Sequence, residues 1–191
     1  MTIKRVGILG SGIMGSGIAE VAAKTGHEVV LRSRKQETAD AMVASLTKSL
    51  AKQVDRGKLS EEDRDAVLGR VTATDHIGAV ADCDLVIESV VEDMDIKKAL
   101  FAELDGICKD SAILATNTST LSVIDMAVAT GRPDKVVGVH FFNPAPMMSL
   151  VEIVRPLTAS DETVAAVTEF ASTCGKDPVE VKDRAGFIVN A

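Results

Sequence analysis

Tryptophan and tyrosine are absent from the 191 residues and phenylalanine occurs only five times, so few flat rings are available for stacking on bases or sugars. A basic surface is lacking as well. Against 28 Asp and Glu stand 21 Lys and Arg, a formal net charge of −7, whereas a nucleic-acid or anionic-membrane binder needs cations that displace counterions. No nucleic acid and no membrane is therefore expected as a partner, and an anionic ligand has to be held by a few local groups. Cysteine is scarce: Cys83, Cys108 and Cys174 are odd in number, far apart and free of any CxxC spacing. That excludes a disulfide framework and a zinc knuckle and suits a reducing cytoplasm. Long apolar runs are missing too; none approaches the roughly 20 residues that span a bilayer. A strand pattern begins almost at Met1-Thr2-Ile3-Lys4, which leaves no room for a signal peptide. A soluble, cytoplasmic protein is the expectation.

What is present is a core: 46% of the residues are apolar, enough for one domain of this length and short of two. Val6-Gly7-Ile8-Leu9 reads as a short buried strand, Ile13 to Thr25 as a helix, and Glu28 to Leu31 as a second strand after the stop at Gly26. Further apolar runs at Leu85 to Ile87, Ile113 to Ala115, Val136 to Val139, Leu150 to Val154 and Val179 to Val181 alternate with helical patterns such as Ile96 to Leu104 and Glu162 to Ser172. Alternation of this kind predicts a doubly wound α/β fold with a mainly parallel sheet. One segment breaks it. Apolar residues at Ala39, Met42, Val43, Leu46, Leu50 and Val54 keep helical spacing from Glu37 to Arg56, and a second helix starts at the capping box Ser60-Glu61-Glu62-Asp63. A helical hairpin over about 37–70, projecting from the sheet, is expected. The last residues, Gly186 to Ala191, are apolar with no helix stop, which predicts that the element begun there continues further.

The strand–loop–helix at Gly10-Ser11-Gly12-Ile13-Met14-Gly15 fits GxGxxG in its proper context. The first glycine allows the tight turn, the second lets backbone approach a pyrophosphate, and the third brings helix and strand close, with the helix N-terminus facing the anion. An NAD-binding unit ends its second strand on an acidic residue that accepts the ribose hydroxyls. Here that place reads Leu31-Arg32-Ser33-Arg34-Lys35. Arg32, Ser33 and Arg34 would welcome a 2′-phosphate where a carboxylate would repel it, so NADP(H) is expected in preference to NAD(H). An ordinary solvated turn, with the ribose held by backbone or Glu37, is the alternative.

Together with this loop, Val91-Glu92-Asp93, Thr116-Asn117-Thr118-Ser119, His140-Phe141-Phe142-Asn143-Pro144 and Leu150-Val151-Glu152 make the chain resemble the 3-hydroxyacyl-CoA dehydrogenases, most of all their bacterial short-chain members. The resemblance spans nearly the whole sequence. It implies a dinucleotide-binding domain over 1–185 and, from 186 to 191, the start of an all-helical domain through which the full-length protein would form a homodimer. The implied reaction interconverts a 3-ketoacyl-CoA and an (S)-3-hydroxyacyl-CoA, acetoacetyl-CoA being the expected substrate, by hydride transfer with the nicotinamide.

The resemblance also implies roles. His140 would be the general base, which agrees with the residues alone: of three histidines, only His140 ends a buried strand on the crevice side. Glu152 would pair with it, and Ser119 and Asn190 would hydrogen-bond the substrate oxygen. Glu92, Lys97, Ser119 and Asn143 would serve the ribose and nicotinamide end, with Asn117 shaping the loop. Ser45 and Lys52 stand seven residues apart on the inserted helix, hence about 10 Å apart on one face, and would meet the arm and phosphates of an acyl-CoA. Met147 and Met148 are candidates for an adaptable wall near the acyl chain. No metal site is expected. A sugar-acid dehydrogenase on the same scaffold, and a cofactor-binding module without turnover, are the competing readings.

Overall fold

In a computed structural model the described residues are 2–184, 186 and 187. Eight strands form one sheet: β1 (Arg5–Leu9), β2 (Glu28–Arg32), β3 (Val71–Thr74), β4 (Leu85–Glu88), β5 (Ile113–Thr116), β6 (Val136–Phe141), β7 (Leu150–Arg155) and β8 (Asp177–Lys182). Their order across the sheet is β3-β2-β1-β4-β5-β6-β7-β8. The first six follow the 3-2-1-4-5-6 order of a doubly wound nucleotide-binding fold, with the switch point between β1 and β4. β1 to β6 run parallel. β7 runs antiparallel to β6, and β8 is parallel to β7. The reason for the reversal is length: residues 142–149 link β6 to β7, and a parallel return needs a crossover of a dozen residues or more.

Helices cover both faces. On one side α1 (Ile13–Lys24), α2 (Gln36–Asp55), α3 (Glu61–Gly69) and α6 (Asp161–Thr173) bury Ile18, Leu46, Leu50, Val67 and Phe170 in one apolar layer with Ile8, Leu31 and Ile87 of the sheet. On the other side α4 (Met94–Ile107) and α5 (Val123–Ala127) bury Phe101, Leu104 and Met126 against Leu9, Val86 and Leu114. Period-two alternation along strands such as Ile8-Leu9 thus feeds the two layers in turn.

The hairpin departs from its expected placement. The α2 stripe Ala39, Met42, Leu46 and Leu50 is buried, and the helix lies along α1 instead of standing away from the sheet. A polar seam fixes it there. The buried Glu20 of α1 accepts hydrogen bonds from Lys24 Nζ at 2.8 Å, Gln53 Nε2 at 2.9 Å and Ser49 Oγ at 3.2 Å. An apolar stripe on one helix and a buried carboxylate on the other both require the contact. The Ser60 hydroxyl caps α3 as its sequence suggests, accepting from Asp63 N at 3.0 Å. β3, four residues at the sheet edge of which three are half-buried and Thr72 exposed, and α5 have signals too short to be read from periodicity. No helix among the described residues is long and apolar enough to cross a membrane.

All three cysteines are buried. Burial pushes the thiols of Cys83 and Cys108 up to about 11 and also raises Cys174. The unfolded chain therefore loses these protons first, and their contribution to stability, complete below the ordinary 9.0, is lost as the pH rises to about 11. A bulky disulfide reagent at neutral pH is expected to label no thiol in the native protein and all three after denaturation; rapid native labelling would contradict the packing.

Candidate active site

The carboxyl ends of β1, β4, β5 and β6 lie along one edge of the sheet, where a doubly wound fold places its ligands. Beside the switch point opens a cleft of about 730 Å³ lined by Gly10, Ser11, Gly12, Arg32, Ser33, Arg34, Ser89, Val90, Val91, Ile96, Ala99, Leu100 and Glu103. Gly10 has φ +135°, and a Cβ there would stand 2.1 Å from the Ser89 carbonyl oxygen, so only glycine serves. A Cβ on Gly15 would meet the Gly10 oxygen at 2.5 Å, whereas one on Gly12 would meet nothing within 4 Å and would project into open space. Those are the three demands of a pyrophosphate turn: tight bend, close packing and unobstructed backbone at a helix N-terminus. Ile13 and Met14 belong to the first turn of α1, with Ile13 78% exposed.

At the outer end, Ser33 is buried and Arg34 exposed, while Arg32 donates from Nε to the Asp75 carbonyl at 3.2 Å. Val91 and Ile96 remain 60% and 49% exposed and give the cleft an apolar wall suited to a flat heteroaromatic ring. Loop, basic rim and apolar wall together fit a nicotinamide dinucleotide.

β4 and β5 end in a buried charge network that the sequence reading only partly anticipates. Lys97 is 1% exposed, with Nζ 2.6 Å from Oε1 of the fully buried Glu88 and 3.4 Å from Oε2 of Glu92. Glu88 also accepts from Val90 N at 2.6 Å and from the Thr116 hydroxyl at 2.8 Å. Glu92 accepts from the Thr118 hydroxyl and, at 3.0 Å, from Ser119 N. Burial pushes the Glu92 carboxyl up, but the Thr118 hydroxyl, the Lys97 ammonium and the Ser119 N–H outweigh it and hold it below the usual carboxylate range. Ser119, just beyond the carboxyl end of β5, is thereby fixed through its backbone and left exposed. Glu88 and Thr118 escape sequence reading because a glutamate closing an apolar strand looks like its solvated end; the cue is the Lys97 spacing of nine residues.

Asn117 accepts from Phe141 N through Oδ1 at 2.8 Å and so ties the β5 loop to the end of β6. There the antiparallel register sets His140 opposite Glu152. His140 Nδ1 lies 2.8 Å from Glu152 Oε2, with side chains 5% and 2% exposed. Phe142 and Phe187 flank the imidazole, ring centroids 4.5 and 5.8 Å away. A buried imidazole held by a carboxylate on one nitrogen can take up or give a proton on the other.

The other histidines are placed differently. His27 approaches the Ala22 carbonyl and packs edge-on against Phe170, while His76 is exposed at the end of β3. Asn143 is exposed just beyond β6. The following turn is held by Lys176, a residue sequence reasoning missed, whose ammonium donates to the Ala145 and Met148 carbonyls at 2.7 and 2.8 Å. Met147 is 81% exposed and Met148 40%. Ser45 and Lys52 lie on the exposed face of α2, outside the lining of the cleft. Asn190 lies outside the described residues.

Because the Glu88–Lys97 pair is dry, removing one partner strands the other. Lys97→Met is expected to cost about 3–5 kcal/mol in urea denaturation; a loss below about 1 kcal/mol, the worth of an exposed pair, would contradict the burial.

Comparison with known proteins agrees with this geometry. Residues 5–184 match the family model "3-hydroxyacyl-CoA dehydrogenase, NAD binding domain". The chain is 46% identical over 186 residues to a 3-hydroxybutyryl-CoA dehydrogenase of Clostridioides difficile, covering 97% of this chain and 66% of the relative. It is equally 46% identical over 195 residues to one from Mycobacterium tuberculosis, covering 99% and 67%. Among solved structures, the 3-hydroxybutyryl-CoA dehydrogenase of Escherichia coli superposes with a TM-score of 0.97 at 41% identity, over 99% of this chain and 40% of that one. The chain spans about two thirds of the length of these curated relatives. A family model over nearly the whole chain and relatives of this similarity show which family it belongs to: this is an NAD-binding domain of the 3-hydroxyacyl-CoA dehydrogenases.

Proposed function

We propose that the chain provides the cofactor-binding and proton-transferring part of an enzyme that interconverts 3-ketoacyl-CoA and (S)-3-hydroxyacyl-CoA. Acetoacetyl-CoA and 3-hydroxybutyryl-CoA are the favoured pair, on the strength of the relatives' names. The observation that carries the reading is the buried contact of 2.8 Å between His140 Nδ1 and Glu152. With Glu152 ionised, its oxygen favours the tautomer bearing hydrogen on Nδ1 and leaves the Nε2 lone pair for the substrate. In oxidation Nε2 takes the proton of the 3-hydroxyl while C3 gives up a hydride, and Glu152 stabilises the resulting imidazolium. In reduction the same proton returns to the oxygen. A bound nicotinamide supplies or accepts that hydride. Ser119, positioned through Glu92, and Asn190 donate hydrogen bonds to the substrate oxygen as charge develops on it.

The turn Gly10 to Gly15 holds the pyrophosphate, Glu92, Lys97, Ser119 and Asn143 serve the ribose and nicotinamide end, and Ser45 and Lys52 meet the CoA arm along α2. Homodimerisation of the full-length protein through a further helical domain belongs to the same reading. His140→Ala is expected to lower turnover by about 10²–10⁴, the usual worth of a general base, with cofactor affinity nearly unchanged. Near-normal turnover would remove His140 from the mechanism.

NADP(H) is the preferred cofactor in this reading. Arg32, Ser33 and Arg34 line the outer end of the cleft, and no carboxylate stands from Leu31 to Lys35 to repel a 2′-phosphate. A charged hydrogen bond to phosphate contributes about 1.5–3 kcal/mol, so NADPH is expected to bind at least about tenfold more tightly than NADH. Ser33→Asp is expected to abolish that preference. Calorimetry at equal ionic strength decides it, and equal or tighter binding of NADH by the unsubstituted chain would assign the arginines to a solvated turn.

A further inference from the structure

Glu88 is fully buried at the carboxyl end of β4 and cannot itself touch a ligand. A buried ion pair is weak support for stability, since well-packed apolar residues of the same size serve as well or better. Yet Glu88 gathers three donors from three elements: the Val90 N–H that opens the β4 loop, the Thr116 hydroxyl at the end of β5, and the Lys97 ammonium from α4. Each leads to the crevice. Val90 stands between Ser89 and Val91 in the cleft lining. Thr116 Oγ1 accepts from Thr118 N at 3.2 Å. Lys97 reaches on to Glu92, whose other oxygen holds the Thr118 hydroxyl and the Ser119 N–H.

We propose that Glu88 is a positioning residue that preorganises the cofactor site. It anchors Lys97 where that ammonium neutralises Glu92 and keeps the Glu92 carboxylate folded against the Ser119 loop, so both loops are set before the dinucleotide arrives. Without this anchor the Lys97 side chain is free to swing, and Glu92 loses its fixed counter-charge. The loops must then be ordered at the expense of binding free energy. This inference rests on the reading that Glu92 and Ser119 face the cofactor.

Glu88→Gln keeps the size and removes the charge, and Glu88→Gln/Lys97→Met removes both charges. Val167→Ala, a core truncation in α6, controls for destabilisation alone. Three quantities are read: NADPH affinity by calorimetry, thermal midpoint, and the Ser119 amide resonance of the ligand-free protein. Glu88→Gln is expected to weaken NADPH by about tenfold or more, the worth of one charged hydrogen bond, and to move the Ser119 resonance. Val167→Ala moves neither. The double variant is expected to recover the thermal midpoint without recovering affinity; because it also takes Lys97 from the cofactor end, Glu88→Asp, which leaves Lys97 in place and shortens the anchor, is expected to weaken NADPH likewise and decides where Glu88→Gln does not fold. Affinity that returns together with stability in the double variant would make Glu88 structural only. Loss of affinity in Glu92→Gln with none in Glu88→Gln overturns this inference by itself; no loss in either overturns the reading of Glu92 with it.

Discussion

A carboxylate cannot be left unpartnered inside a sheet, and the antiparallel pairing of β7 with β6 gives Glu152 the imidazole of His140. Much else follows from that reversal. The link over 142–149 is too short for a crossover, so β7 folds straight back and brings its third residue level with the fifth of β6. Packing is close enough that a Cβ on Gly138 would fall 2.6 Å from that of Val154, which fixes the register, and a slip by one residue would turn Glu152 to the other face. Lys176 and Asn117 secure the two flanks, one by holding the carbonyls of the returning turn, the other by holding the amide of Phe141.

The same logic explains how an acidic protein accommodates an anionic cofactor. Net charge of −7 opposes approach of a dinucleotide at long range, but screening confines that repulsion to about 8–10 Å at physiological salt. Inside the cleft the local groups decide, with helix N–H groups at Gly12 and two arginines at the rim, while outside its lining the charge of Glu92 is matched by Lys97. The anions nearest the reacting end, Glu88, Glu92 and Glu152, are each committed to a donor and so pre-set geometry instead of repelling ligand.

Much of this was legible in the sequence. The apolar runs of β1, β4, β5 and β6 and the glycine loop foretell the nucleotide fold, because buried parallel strands and a pyrophosphate turn leave strong local signatures. His140 and Glu152 are legible as a pair only through the resemblance and not from spacing, since it is the β6–β7 register that joins positions twelve apart. The chain length between the two strands would have revealed the reversal. β3 was invisible at four residues on an edge, and the hairpin was misplaced because a stripe such as Ala39, Met42, Leu46 and Leu50 says that a helix is covered without saying by what. The resemblance marks Lys97 but not its burial, because its partners come from β4 and from the loop that follows it.

If the strand reversal makes His140 and Glu152 one proton-transfer unit, the two side chains must fail together. A double-mutant cycle on ketoacyl-CoA turnover, with His140→Ala, Glu152→Gln and both, measures this directly. Strong non-additivity is predicted, the double variant being scarcely slower than His140→Ala alone; effects that multiply independently would contradict the account.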